Sequence, residues 1–284
     1  MTLQEKLDFI LGIKRLAVLF IKDVSLRPAE LASAVQRCLN TLWDVFISTA
    51  EALDFDEDAA LHDHLVLQLL WTMEFDTLCR GLHPSASVNE RFPSWEAYQF
   101  AERLQCRWDE LLLGHDSEES KSKQRNLAAF SAKVLAAGIC RDSVMQTALS
   151  CLRDVLEAED EEKVVARLAM AVTWIDHCHH QLLAFLLGDR SGEGDRESGD
   201  SLDRWLSWRK RFQGFSHHAD AAVATEAKTG FMSMISCGLD LDCDVPGEAI
   251  FREQVAVAMR DELVASGKPS VEIHDIDVDV DWVE

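Results

Sequence analysis

Apolar residues recur at spacings of three and four over most of this chain, the period of an α-helix that turns one face to a core. Five prolines, at 28, 84, 93, 246 and 269, punctuate long periodic stretches. Residues 3–22 predict a first helix. Pro28 suits the first turn of a second, whose Leu31, Val35, Cys38, Leu42, Val45 and Phe46 share one face. A third is predicted over 58–80, stopped at Gly81, because glycine takes the left-handed conformation that a helix C-terminus commonly needs. Ser94 can cap a fourth by accepting from a backbone N–H, and Gly114 ends it. Further helices are predicted over 121–137, 142–158, 160–187, 201–213, 218–236 and 246–265, while the polar segments 115–122 and 188–200 read as surface loops. The predicted fold class is all-α, a single multi-helix bundle of about nine to ten helices. Residues 1–238 make its helical domain. Residues 239–284 make an acidic C-terminal extension with one helix and a tail, for which a solvated, disordered state is the competing expectation. No fixed-period repeat supports a solenoid.

Composition narrows the partners. The 284 residues are 48% apolar, enough to fill a core, but carry 28 basic against 50 acidic residues, a net charge of −22. Such a surface repels polyanions and anionic lipid, so neither nucleic acid nor a membrane is expected as partner. A protein with a basic or neutral surface is favoured. Residues 240–284 hold 13 of the acids and 3 of the bases, which concentrates the imbalance in the extension. The eight cysteines include no C-x-x-C pair and read as reduced thiols. Glu5, Lys6, Asp8, Lys14 and Arg15 interrupt the apolar N-terminal segment, which fits neither a signal peptide nor a membrane span. A cytoplasmic location is expected, with a nuclear one also open.

The common catalytic motifs are missing. Gly192-Glu193-Gly194 lacks the third glycine and the preceding strand of a dinucleotide fingerprint, and there is no Walker loop, G-x-S-x-G or H-E-x-x-H. The runs Asp240/Asp242/Asp244 and Asp277/Asp279/Asp281 alternate like a calcium loop, yet neither offers glycine at position six or glutamate at position twelve. The cluster Asp54, Asp56, Glu57, Asp58 lacks the D-D-x-x-D order of magnesium-binding isoprenoid enzymes and reads as carboxylates at a helix start. No catalytic residue is identified, and no cofactor is called for.

Three segments stand out. In Asp176-His177-Cys178-His179-His180, His179 falls inside the apolar stripe of its helix and reads as a hydrogen-bonded core residue, while His177 falls on the solvent side. Asp176 and His180, four apart, can meet as a carboxylate–imidazole pair or hold one metal, with His62 and His64 as conceivable further ligands. In 204–212, Trp205, Trp208 and Phe212 share a helix face among Arg204, Arg209, Lys210 and Arg211. Burying the three rings is worth about 10–20 kcal/mol gross, which favours a core stripe over an exposed ligand platform. In the tail, Ile276, Val278, Val280 and Trp282 alternate with Asp275, Asp277, Asp279 and Asp281, the two-sided pattern of an extended strand. These four apolar residues are the candidate partner-binding tail, suited to adding a strand to a positively charged sheet edge.

The words Asn126-Leu127-Ala128-Ala129-Phe130, Ala136-Ala137-Gly138, Leu152-Arg153-Asp154, Leu156-Glu157, Trp174, Arg204-Trp205, Trp208 and Arg211-Phe212 keep their order along the chain. Together they resemble the signature of a fungal all-helical family of unknown function, with Arg209 where lysine is expected and everything beyond Gly238 outside the likeness. The resemblance implies a filamentous-fungal origin and an α-helical domain, and it transfers no catalytic residue. Members encoded beside natural-product pathways imply an accessory role in secondary metabolism. The expected function is thus a helical interaction or accessory protein. The alternative is an all-α enzyme or small-molecule binder in a fungal secondary-metabolite pathway.

Overall fold

The computed structural model describes residues 4–6, 8, 11, 12, 15, 32–81, 98–114, 117–188 and 200–283. Among the described residues there are ten bounded α-helices and no strand, the all-α multi-helix architecture that the spacing predicts. They are α1 (Ala32–Ala52), α2 (Ala59–Gly81), α3 (Tyr98–Leu113), α4 (Glu118–Ala136), α5 (Arg141–Leu156), α6 (Glu161–Gly188), α7 (Asp200–Phe215), α8 (Ala221–Ile235), α9 (Cys237–Asp240) and α10 (Glu248–Ser266). Of the helix expected over 3–22, the seven described positions are helical. The remainder of that segment, Pro28, Ser94 and the loop over 189–199 lie outside the described residues. Contacts group the chain into two compact units, Met1–Leu152 and Arg153–Glu284.

In the first unit, α4 packs against α1, α2 and α3. Its alanines, Ala128, Ala129 and Ala132, are fully buried and let the neighbouring backbones approach. The rings of Trp43 and Phe100 meet edge-on at 5.6 Å, and those of Phe100 and Phe130 at 6.4 Å, a favoured aromatic arrangement. The polar stretch read as a loop over 115–122 is shorter than expected. Ser117 accepts from the Ser120 N–H, and Glu118 and Glu119 occupy the first turn of α4, so polarity here marks a capped helix start.

In the second unit, α8 packs on α6 and α7. Trp174, Trp205, Trp208, Phe212 and Phe231 have no exposed surface, so the aromatic stripe of α7 is core. A Cβ at Gly230 of α8 would stand 2.7 Å from the Phe212 ring. Only hydrogen at that position lets the two helices close on each other.

The extension folds onto the same unit. Helix α10 buries Phe251 and Val255, and the Phe231 and Phe251 rings meet at 5.7 Å. Gly247, just before α10, has φ +87 and lies under the Arg209 guanidinium, where a Cβ would come within 3.1 Å of it. The tail then packs on α10 through two 3₁₀ turns, Ile273–Asp275 and Val280–Val283. Val278 and Val280 are buried while Asp277, Asp279 and Asp281 are exposed, so the alternation is kept. The expected extended strand is not what forms. The carboxylates of Asp275 and Asp279 accept from the backbone N–H groups of Glu272 and Asp281, each at 3.0 Å, and such local bonds favour turns over a ladder.

Candidate functional site

The polar residues of the sequence signature turn out to be ties. Asn126 on α4 is buried, donates Nδ2 to the Glu51 carbonyl at 2.9 Å and accepts at Oδ1 from the Phe55 N–H at 3.0 Å. It fixes the turn between α1 and α2. The Asp54 side chain caps that turn by accepting from the N–H groups of Asp56 and Glu57, and the Glu57 bond chiefly holds its carboxyl below the usual range. The acidic cluster at 54–58 is thus a turn and helix start. In the second unit, Glu157 at the end of α5 accepts from Trp208 Nε1 and from Arg204 Nε, each at 3.0 Å, and Arg211 donates to the Ala158 carbonyl. Two distant sequence words are joined there by hydrogen bonds to indole and guanidinium.

The segment with the densest chemistry lies midway along α6. Cys178 leaves the helical range, with φ −141 and ψ 23, and kinks the helix. Its thiol donates to the Trp174 carbonyl at 3.0 Å, and the His179 ring meets the Ile175 carbonyl through Nδ1 at 3.0 Å. Side chains inserted on carbonyls four residues back are a known cause of such a bend. Asp176 and His180 take different partners in place of the expected pair. Asp176 instead meets His177 at 3.3 Å and accepts from the Ser233 hydroxyl at 2.9 Å, and the His177 bond chiefly keeps its carboxyl low. His180 turns to Asp240 on α9, Nε2 to Oδ2 at 3.1 Å.

The kink brings the His179 and His180 rings to 4.1 Å between centroids, although a regular helix would set neighbours about 100° apart. The buried Cys237, at the start of α9, completes the group: the nitrogen and sulfur atoms of His179, His180 and Cys237 lie within 4.8 Å of one another. Burial, and then the charge of His180, lower the His179 pKa. His62 and His64 take no part. They belong to the other unit, where His62 bonds the Leu53 carbonyl at 3.0 Å and His64 meets Gln68 at 3.2 Å.

A second feature is an apolar cleft of about 320 Å³, walled by Met232 and Ile235 of α8, Phe251 and Val255 of α10, and by Val245 and Ile273. Glu248 lines it and is buried. Its carboxylate accepts from the Gly238 and Leu239 N–H groups at 3.0 Å, and burial pushes its pKa up despite them. Arg209, also buried, donates to the Pro246 carbonyl. Burial raises the Cys140 and Cys237 thiols to about 12, and the Cys178 thiol as well, so these sulfurs stay protonated at neutral pH and are poor nucleophiles.

A family model described as "Protein of unknown function (DUF3632)" matches residues 43–212, more than half of the chain. The chain belongs to this family. Nothing matches among curated proteins or solved structures. The DUF3632 match holds Asn126, Glu157, His179, His180 and the α7 stripe, whereas Cys237, Asp240, Glu248, α10 and the tail lie beyond it. Among the described residues no helix is long and apolar enough to cross a membrane. Sequence reasoning reached the imidazoles of α6 but missed Cys237 and Asp240 as their neighbours, because no spacing motif links positions nearly sixty residues apart.

Proposed function

We propose that this DUF3632 protein is a non-enzymatic helical interaction protein and that α10 presents its contact face. One observation carries the reading. Helix α10 packs inward through Phe251 and Val255, yet Ile250, Val257 and Val264, spaced by seven, leave 47%, 40% and 81% of their surface exposed on the opposite side. A helix that is apolar on two sides has one face for its own core and one for another surface. Glu253, Arg260 and Asp261 flank that seam within an extension whose acids outnumber its bases. The occupant that fits is a helix of a second protein with an apolar stripe and basic flanks. The tail braces the inner face of α10 through its two 3₁₀ turns, where the Trp282 ring lies 6.2 Å from that of Phe251, and strand addition by Ile276, Val278, Val280 and Trp282 would first require peeling the tail away. A fungal origin and an accessory role beside a natural-product pathway belong to the same reading, on the family resemblance.

The test compares full-length wild type with a Val257→Glu/Val264→Glu variant as affinity baits in a filamentous-fungal extract. The expected result is a protein retained by wild type and lost by the variant, at unchanged circular dichroism and Tm. Identical retained proteins would refute the α10 face, and a deletion strain that accumulates one biosynthetic intermediate would refute the non-enzymatic reading.

A further inference from the structure

We infer that His179, His180, Cys237 and Asp240 form a binding site for one divalent transition-metal ion of the zinc type, clamping the kinked helix α6 to the C-terminal extension. The donor set is two imidazoles, one sulfur and one carboxylate, the borderline mixture that zinc accepts in a closed tetrahedral site. The three ligand atoms of His179, His180 and Cys237 already lie within 4.8 Å of one another. The 3.1 Å between His180 Nε2 and Asp240 Oδ2 is close to the edge of a tetrahedron with bonds near 2.0–2.1 Å, about 3.3 Å. An ion would replace that hydrogen bond, draw the Asp240 carboxylate in toward the group formed by His179, His180 and Cys237, and displace to solvent the proton that burial otherwise keeps on the Cys237 thiol.

The second layer fits as well. The His179 Nδ1 is engaged by the Ile175 carbonyl, which orients the ring and leaves Nε2 for a metal, the usual arrangement of a ligating histidine. His180 and Asp240 are partly exposed and give an ion a way in, while Cys237 is fully buried at the inner end. Ligation by both rings moves their centroids from 4.1 Å to about 5 Å, a splay that the partly exposed His180 can supply. The kink at Cys178 then has a use, since it brings consecutive side chains to one point. This inference does not rest on the α10 face.

The test uses the full-length chain, stripped with a chelator and titrated with zinc by calorimetry and with cobalt(II) as a spectroscopic probe. One equivalent per chain is expected, with a thiolate-to-cobalt charge-transfer band in the near ultraviolet. Cys237→Ser should abolish that band. Because replacing a buried residue can unfold the unit, His180→Ala carries the decision: it should weaken zinc at least about 100-fold and remove the zinc-induced rise in Tm seen for wild type. Asp240→Asn should weaken it about tenfold. Absence of stoichiometric uptake overturns the inference. So does uptake that His180→Ala leaves unchanged, which would place the ion elsewhere on the acidic surface.

Discussion

The stripe of α7 and the tail of the extension are both two-faced patterns, and they are held in different ways. In α7 the rings of Trp205, Trp208 and Phe212 are sealed from solvent, and the indole N–H of Trp208 is answered by Glu157. In the tail, Val278 and Val280 are buried but Ile276 and Trp282 only partly so. Its polar ties, Lys228 to Asp277, Gln213 and His217 to Asp281, and Lys268 to Asp275, all lie in solvent. The difference teaches that an apolar pattern becomes a strong anchor when three-dimensional shape closes around it, whereas screened charges add little beyond position.

The sharpest way to break this contrast is at Trp208. Trp208→Ala should cost about 3–5 kcal/mol in urea unfolding, since it empties a large site and strips Glu157 of a donor. Next comes Glu248→Ala, which leaves the Gly238 and Leu239 N–H groups without their carboxylate and should cost about 1–3 kcal/mol. At the other end, Lys228→Ala should change stability by no more than about 0.5 kcal/mol, and a cost near that of Trp208→Ala would sink the contrast. The tail's own part is tested with a peptide of residues 270–284. It should fail to compete for any partner bound through α10, and competition would restore the tail as the binding element.

Acid separates buried from exposed groups too. Burial lowers the His62 pKa below its ordinary 6.5, so the unfolded chain takes up a proton at that position before the folded chain does. Stability contributed there is complete above about pH 6.5 and is lost as pH falls through the folded value. Asp281, by contrast, is held below its ordinary 3.8 chiefly by Gln213, so its tie is present above that value and is lost only in stronger acid. Urea midpoints measured from pH 7.5 to 5 should therefore fall, and His62→Gln should flatten the slope while Asp281→Asn leaves it unchanged.

Most helices were legible in the sequence because amphipathic periodicity runs through them, and Gly114 ends α3 as expected. The α7 stripe was legible for the same reason, helped by the large area of its rings. The tail was half legible: alternation named its inner and outer residues, but the backbone bonds that Asp275 and Asp279 accept are turn chemistry that alternation does not encode. The imidazole cluster was hidden more deeply. A regular helix sends His179 and His180 to different sides and pairs His180 with Asp176, whereas here the two rings meet at the departure at Cys178 and His180 turns to Asp240. Cys237 and Asp240 reach the cluster through tertiary packing of α9 on α6, which a single chain of letters does not display.

The vacancy at Gly230 has a bearing on other chains built to the same plan. Where a phenylalanine stands opposite, as Phe212 does here, the facing position must carry no side chain, because one would lie within 3 Å of the ring. An exchange for alanine can then be inherited only alongside a smaller residue across the seam. Such paired trading of volume is a record that a collection of sibling sequences would either contain or contradict.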